Sequence, residues 1–332
     1  MDPTVVHVEL EPGDHGEFEV RWDLVGDPCA VDVAYGATPV TIDHRHQFTV
    51  DVGVTCATLS VLGDGPHYVS VAPHGAGPAV IAGERRVRFA GLQNFRDLGG
   101  YRTASGGRTR WGVLFRADSL HKLTAADLRV FERLGMHWVF DLRGDQELAM
   151  HPNRVPATQL AVVGRSRTDG AVDDAEVRAD WAASGDGERI LRDLYLGMLV
   201  HSGPLFGRLI ATLAEPGGVP AVFHCHAGKD RTGIVAALVL LAVGVDRETV
   251  LDDYELTRQY RKFEHQQDSF ANMIDRGLSP EVAAGVLSTP RWAMTDAIDA
   301  LDSDHGGIEQ YLTTEAGLST AQLDALRNTL VS

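Results

Sequence analysis

Apolar and polar positions alternate through the first ~85 residues with the period of two expected of strands that bury one face. Glu17-Phe18-Glu19-Val20-Arg21-Trp22 shows it, as do Ala30 to Tyr35, Gln47 to Val50 and His67 to Val71. Turns of glycine, proline and aspartate separate these runs, and short strands at such spacing predict a small β-sandwich over residues 1–88. Gly75-Ala76-Gly77-Pro78 either turns the last hairpin or opens the linker. Beyond position 88 the pattern changes. Trp111 to Arg116 predicts a strand. Thr124 then caps a helix with Asp127 in its first turn, a Leu128, Phe131, Leu134 stripe and Gly135 at its end. Trp138 to Phe140 gives the next strand, ending in Asp141. A strand, helix and strand in succession predict a parallel sheet with a right-handed crossover, and ligands bind beyond the carboxyl ends of such strands. Helical patterns follow over 188–200 and 204–214. After the run Pro220 to Phe223, residues Ile234 to Leu241 are apolar enough for a buried helix. Asp246 caps another helix through Leu251, Tyr254 and Leu256, and three more close the chain. The predicted fold is therefore an α/β domain over 89–332 with a central, mostly parallel sheet, behind a β-sandwich over 1–88.

Composition narrows what such a chain can do. Its 332 residues suit two domains at ~150 residues each. With 44% hydrophobic and 23% charged residues, the chain reads as an ordinary globular protein. A formal net charge of −16 disfavours nucleic acid and anionic membranes as partners, so any anion must be taken in a locally positive pocket. Three cysteines, Cys29, Cys56 and Cys225, include no CxxC pair, which points to a reducing compartment and a cytoplasmic location. Pairing of Cys29 with Cys56 after export stays open. The first residues have neither a basic head nor an apolar core, and no apolar run reaches ~20 residues, so no transmembrane segment is expected. Oligomeric state is not readable. The polar, acidic stretch from Arg165 to Gly187 fits a lid or a plain surface insertion. Trp22 and Tyr68 give the first 88 residues a resemblance to fibronectin type III or immunoglobulin-like modules, acting as a structural appendage.

The chemistry concentrates in His224-Cys225-His226-Ala227-Gly228-Lys229-Asp230-Arg231-Thr232-Gly233. This loop joins a strand's carboxyl end to a helix's amino end, where unpaired N–H groups and a partial positive charge hold an oxyanion. Thiols beside a helix N-terminus and a cation ionise at roughly 3.5–7.5, which makes Cys225 a candidate nucleophile. Arg231 can bring its planar fork back to grip two phosphoryl oxygens, and the Thr232 hydroxyl can hydrogen-bond the sulfur. The loop fails as a Walker motif, because Phe223 and Asp230 stand where glycine and a hydroxyl are needed. His224, Cys225 and His226 lack a second cluster at ligand spacing, so neither a metal nor another cofactor is expected. A buried, inert cysteine is the plain alternative.

Cys225 to Arg231 is a Cys-x5-Arg signature. With HCHAGKDRTG, NFRDLGG at 94–100, DLRGDQE at 141–147 and the tail DHGGIEQYLTTEAGLSTAQLDALRNTL, the chain from about 90 to 331 resembles the bacterial tyrosine/lipid phosphatases. That family includes triple-specificity enzymes acting on phosphotyrosine, phosphoserine/threonine and phosphoinositides. The resemblance implies a phosphorylated protein or phosphoinositide as substrate and a cysteinyl-phosphate intermediate on Cys225. It implies substrate contacts from His226, Ala227, Gly228, Lys229, Arg231, Thr232 and Gly233, and support from Arg96, Asp97, Asp141, Arg143 and His224. It also favours Asp230 as general acid, with Asp97, Asp118, Asp141 and the acidic stretch at 169–186 as alternatives. Arg258, Arg261 and Lys262 form a basic patch facing either an anionic substrate or solvent. Two other readings remain: a phosphorylated-ligand binding protein without turnover, and a thiol redox enzyme of the arsenate-reductase type. The second usually needs a resolving thiol, and the carboxyl-terminal part has only Cys225.

Overall fold

The computed structural model describes residues 1–13, 17–60, 66–75, 77–155, 160–161, 175–262, 264 and 266–332. Among the described residues its amino-terminal part has seven strands: β1 (Thr4–Pro12), β2 (Glu17–Val25), β3 (Val31–Gly36), β4 (Phe48–Val50), β5 (Cys56–Ser60), β6 (Tyr68–Pro73) and β7 (Val80–Gly83). They form two antiparallel sheets, ordered β1-β2-β5 and β4-β3-β6-β7. The alternating pattern sets Val8, Val20, Trp22 and Leu59 of one sheet into a common core with Val33, Val69 and Val71 of the other. All four strands read from the pattern are present. Three strands escaped: β1, whose alternation is broken by an irregularity between Val5 and His7, β5, where Leu59 is the one buried position, and β7, only four residues long. The β6–β7 connection makes Gly75 part of a hairpin turn rather than of a linker. Cys29 and Cys56 are free thiols.

The second part is built on β8 (Arg96–Asp97), β9 (Leu114–Ala117), β10 (Trp138–Asp141), β11 (Leu160–Ala161) and β12 (Ala221–His224), ordered β11-β10-β12-β9-β8. β9, β12, β10 and β11 run parallel, and β8 is antiparallel at the edge. β9 and β12 are buried throughout, as central strands between covered faces are, and they carry Arg116 and His224 into the interior. Register aligns Asp141 with His224 and His224 with Ala117, so the chain leaves three neighbouring strands at one level. The site forms there.

Helices α1 (Ala125–Arg133), α2 (Asp145–Met150), α3 (Ala175–Ser184), α4 (Gly187–Ala214), α5 (Asp230–Ala242) and α6 (Arg247–Tyr260) surround this sheet. Thr124 and Asp127 form the expected capping box, and Asp246 caps α6 through the Thr249 N–H. Two expectations fail. The helices read over 188–200 and 204–214 are one helix, α4, with Pro204 inside it. Proline leaves the carbonyl four residues earlier without a donor, but Val200 there is exposed, so water can serve it, while buried Leu199, Leu205 and Phe206 hold both halves. α4 is the described helix long and apolar enough to cross a membrane, yet it packs as a core helix against α5. After α6 come five helices rather than three: α7 (Gln267–Asp275), α8 (Pro280–Leu287), α9 (Arg291–Ser303), α10 (Ile308–Thr314) and α11 (Thr320–Leu330). Of the acidic stretch read as a lid or insertion, residues 165–174 lie outside the described residues, while the rest contains α3 and Asp186, the N-cap of α4.

Candidate active site

Cys225 follows β12, and α5 begins five residues later, so the loop joins strand and helix as its flanks predict. What shapes it is the fate of its carbonyls. His224 O accepts the Leu142 N–H at 2.8 Å, and His226 O accepts the Ser119 N–H at 3.1 Å. Asn94 Nδ2 donates to Ala227 O at 3.2 Å and to Gly228 O at 2.9 Å, and Arg116 adds a bond to Gly228 O at 2.9 Å. Peptide planarity then turns the N–H groups of Ala227, Gly228 and Lys229 the other way, toward the concave side of the loop. Among the described residues no carbonyl takes those three N–H groups. Gly228 has φ +65, and a Cβ there would lie 2.5 Å from Ala117 O, so only glycine lets the loop pass the end of β9.

Beneath the loop lies a fully buried cluster. Asp253 of α6 accepts from Arg96 Nε at 3.0 Å and from Arg116 Nη1 at 2.6 Å. Burial pushes the Asp253 carboxyl up, but the two guanidinium groups outweigh it and hold the pKa well below the usual range. Burial brings Arg116 down to about 10. Arg96 also donates to Asn94 Oδ1, which aims the amide at the loop. Arg96 therefore lies under the loop and aims Asn94 at it. Asp97 lies apart from the loop: its carboxylate accepts from Tyr68 Oη at 2.8 Å, Gly112 N at 2.7 Å and Gly99 N at 2.8 Å. Neighbours on a strand point to opposite faces, and β8 uses one face for the loop and the other for the β-sandwich.

The remaining carboxylates separate clearly. Asp118 accepts the Gln93 and Asn94 N–H groups, so it fixes the segment that carries Asn94. Asp141 is buried and bound to Arg143, with Asn153 Nδ2 at 2.9 Å. Burial raises its pKa, yet His224 and Arg143 bring it below the ordinary value. Arg143 also ties down Ser119 and the His151 carbonyl, so the pair braces the strand ends and offers no acid to the cleft. Asp230 opens α5 and is a quarter exposed; its Oδ1 accepts from Lys229 Nζ at 2.6 Å and Tyr195 Oη at 2.7 Å.

A cleft of about 380 Å3 opens over Cys225, His226, Ala227 and Arg231. Cys225 is 2% exposed at its base. Met198, Leu194 and Trp181 form an apolar wall, Met273 and Leu287 face it from α7 and α8, and Arg261 and Arg276 add positive charge. Of the basic patch, Arg261 reaches the cleft, while Arg258 and Lys262 are exposed elsewhere. A second hollow of about 490 Å3, between Arg110, Leu241 and Arg327, contains none of the loop residues.

Several groups behave differently from their sequence reading. Arg231 meets Glu147 of α2 with two bonds, 2.6 and 2.9 Å, and donates to Leu142 O at 3.2 Å. Glu147 was missed although it closes the motif at 141–147. Thr232 Oγ1 is buried without a hydrogen-bond partner, so the expected bond to sulfur is not formed, and Gly233 lies within α5. Lys229 is buried, with Nζ spent on Asp230 and on Val286 O of α8 at 3.1 Å, and burial lowers its pKa. His224 Nδ1 lies 3.1 Å from Cys225 O, while Nε2 makes no hydrogen bond but lies 3.6 Å from Asp141 Oδ2. His226 stacks at the rim with His121, whose pKa burial and neighbouring cations push down to about 4. Among the described residues no group of three His, Cys, Asp or Glu is arranged to hold a metal.

Comparisons with known proteins place the chain in a family. A tyrosine phosphatase family model matches residues 87–332. A Cupriavidus necator protein named as a tyrosine-protein phosphatase is 30% identical over 258 residues, covering 76% of this chain and 92% of that protein. The triple specificity protein phosphatase of Mycobacterium tuberculosis is 32% identical over 278 residues, covering 73% and 97%. A tyrosine-protein phosphatase of Nostoc commune is 28% identical over 224 residues, covering 64% and 72%.

Proposed function

Because the chain belongs to the tyrosine phosphatase family, we propose that it hydrolyses phosphotyrosine esters through a cysteinyl-phosphate on Cys225. The observation that carries this reading is the loop after Cys225, where the carbonyls of His226, Ala227 and Gly228 are bonded by neighbouring elements and the N–H groups of Ala227, Gly228 and Lys229 have no carbonyl partner among the described residues. Such preorganised donors stabilise the charge gathering on three equatorial oxygens. The Cys225 thiolate attacks phosphorus, the S–P bond forms as the ester P–O bond breaks, and the Asp230 carboxyl gives its proton to the leaving oxygen. Water then attacks phosphorus, Asp230 takes its proton, and phosphate leaves with the thiolate restored. Arg231 grips the phosphoryl oxygens while Glu147 anchors its guanidinium.

Apolar walls of Trp181, Leu194, Met198, Met273 and Leu287 suit an aromatic ring. Lys229, whose ammonium is already committed inside the protein, gives a phosphoinositide headgroup less to hold. The relative from Mycobacterium tuberculosis is named for triple specificity, so phosphoserine/threonine peptides and phosphoinositides belong in the same test. The β-sandwich, with strands β1-β2-β5 facing β4-β3-β6-β7, supports a fibronectin type III-like appendage over residues 1–88.

The test is turnover on a phosphotyrosine peptide, a phosphoserine peptide and a soluble phosphoinositide, with Cys225→Ser as control. The phosphotyrosine peptide should be fastest, and the substitution should cost on the order of 10^4-fold or more on every substrate. Binding of phosphopeptide without turnover would instead support the binding-protein reading.

A further inference from the structure

Asp230 is held by more than its neighbour in the loop. Tyr195 of α4 and Tyr254 of α6 are buried, with their hydroxyls 2.7 Å apart, and Tyr195 Oη lies 2.7 Å from Asp230 Oδ1. Their rings meet edge to face at 6.2 Å. The direction of the chain follows from proton inventory. A phenol has one O–H to donate. Tyr195 gives its proton to the Asp230 oxygen, so the bond between the two phenols must be donated by Tyr254. Burial pushes both phenols well above their ordinary range, so they stay protonated donors. Lys229 Nζ adds a second donor to the same Oδ1 at 2.6 Å. Oδ2 accepts no hydrogen bond among the described residues.

We propose that Tyr195, with Tyr254 behind it, is a positioning residue for the proton-transfer step: it anchors Asp230 Oδ1 so that the transferable proton sits on Oδ2, facing the cleft. This rests on the reading of Asp230 as general acid. An oxygen that accepts two hydrogen bonds serves as the carbonyl side of a carboxylic acid, which leaves the proton for the other oxygen. That proton passes to the leaving oxygen as the P–O bond breaks, and Oδ2 recovers one from the water that opens the thiophosphate. Three helices take part. α4 and α6 supply the phenols and α5 carries Asp230, so the carboxyl plane is fixed by the core rather than by the loop alone. Because the donors are in series, losing the far phenol should matter less than losing the near one.

Tyr195→Phe keeps the ring and removes the donor. It should lower kcat on a phosphotyrosine peptide about 10-fold and on an activated nitrophenyl ester at most about 3-fold, since a good leaving group needs no acid. KM should change little. Tyr254→Phe should show the same preference at about a third of the size. The decisive comparison is the double variant: in Asp230→Asn, adding Tyr195→Phe should cost nothing more on the peptide, because the group it positions is already gone. An equal loss on both substrates, or a further 10-fold loss in the Asp230→Asn background, would overturn the proposal by showing that the phenol supports the fold. Should Asp230→Asn slow both substrates alike, the assignment of the acid falls and this inference with it. Should Asp230→Asn be selective while Tyr195→Phe is neutral, this inference alone fails.

Discussion

Arg96 and Asp97 are consecutive, equally buried and equally polar, yet they serve different halves of the molecule. On the Arg96 side, Asp253 sits between two guanidinium groups, and charge meets charge under the cysteine loop. On the Asp97 side the donors are mostly neutral: a phenol from the β-sandwich and two backbone N–H groups, with Arg85 reaching the Asp97 carbonyl at 2.7 Å. The electrostatics diverge accordingly. Asp253 is held well below the usual carboxylate range, whereas burial drives Asp97 up to about 6. Asp253, the shared countercharge of two arginines, makes a buried ionic floor under the cysteine loop. Mostly neutral donors, with Arg85 nearby, make the joint between the amino-terminal sheets and β8, and that joint responds to pH.

Breaking the floor should have the largest effect. Asp253→Asn strands two buried arginines and should cost roughly 3–5 kcal/mol in denaturant unfolding, with activity falling alike on every substrate. A loss under about 1 kcal/mol would show that the cluster is not holding the loop.

The pH dependence of the joint should come next. With a folded pKa near 6 against an ordinary value of about 4, the fold favours neutral Asp97. Its contribution is therefore complete below about pH 4 and disappears as pH rises through about 6, a change of roughly 2–3 kcal/mol. Asp253 has the opposite sign, since its contribution is present at neutral pH and is lost only in acid. Measured as the difference from Asp97→Asn, which does not titrate, the wild-type stability should fall between pH 4 and pH 7. A flat difference would contradict the account of the joint.

The smallest effect sharpens the contrast. Tyr68→Phe removes one hydrogen bond to Asp97 from the sandwich side and should cost about 1 kcal/mol, read by thermal unfolding. Turnover of a nitrophenyl ester should stay within about 2-fold, because the Arg96 face of β8 is untouched. A larger kinetic change than stability change would make the sandwich part of the catalytic apparatus.

How far these features could be read from residues alone depended on distance along the chain. The cysteine loop was legible because its nucleophile, glycine, cations and helix start fall within ten consecutive positions. Its floor was not, since Asp253 lies 157 residues from Arg96 and 137 from Arg116, and no local pattern predicts that meeting. Asn94 and Glu147 stood in quoted motifs without being singled out; only the fold shows that one holds loop carbonyls and the other holds Arg231. The three central strands of the sheet were legible from apolar runs, while β8 and β11, two residues each, were not; Pro204 misled because core packing on both sides of it outweighs one missing bond. Arg96 and Asp97 were read alike, and only the fold separates them. Alternation says that neighbours diverge, but not which face meets which partner.

The central claim is that Cys225 takes the phosphoryl group covalently within this cradle. Rapid acid quenching during turnover of a phosphotyrosine peptide, followed by mass measurement of the peptide containing Cys225, tests it most directly. One phosphoryl group should be found on Cys225, absent in Cys225→Ser and longer-lived in Asp230→Asn, where the second step lacks its base. Steady turnover with no phosphoryl group on Cys225, or undiminished turnover by Cys225→Ser, would contradict it.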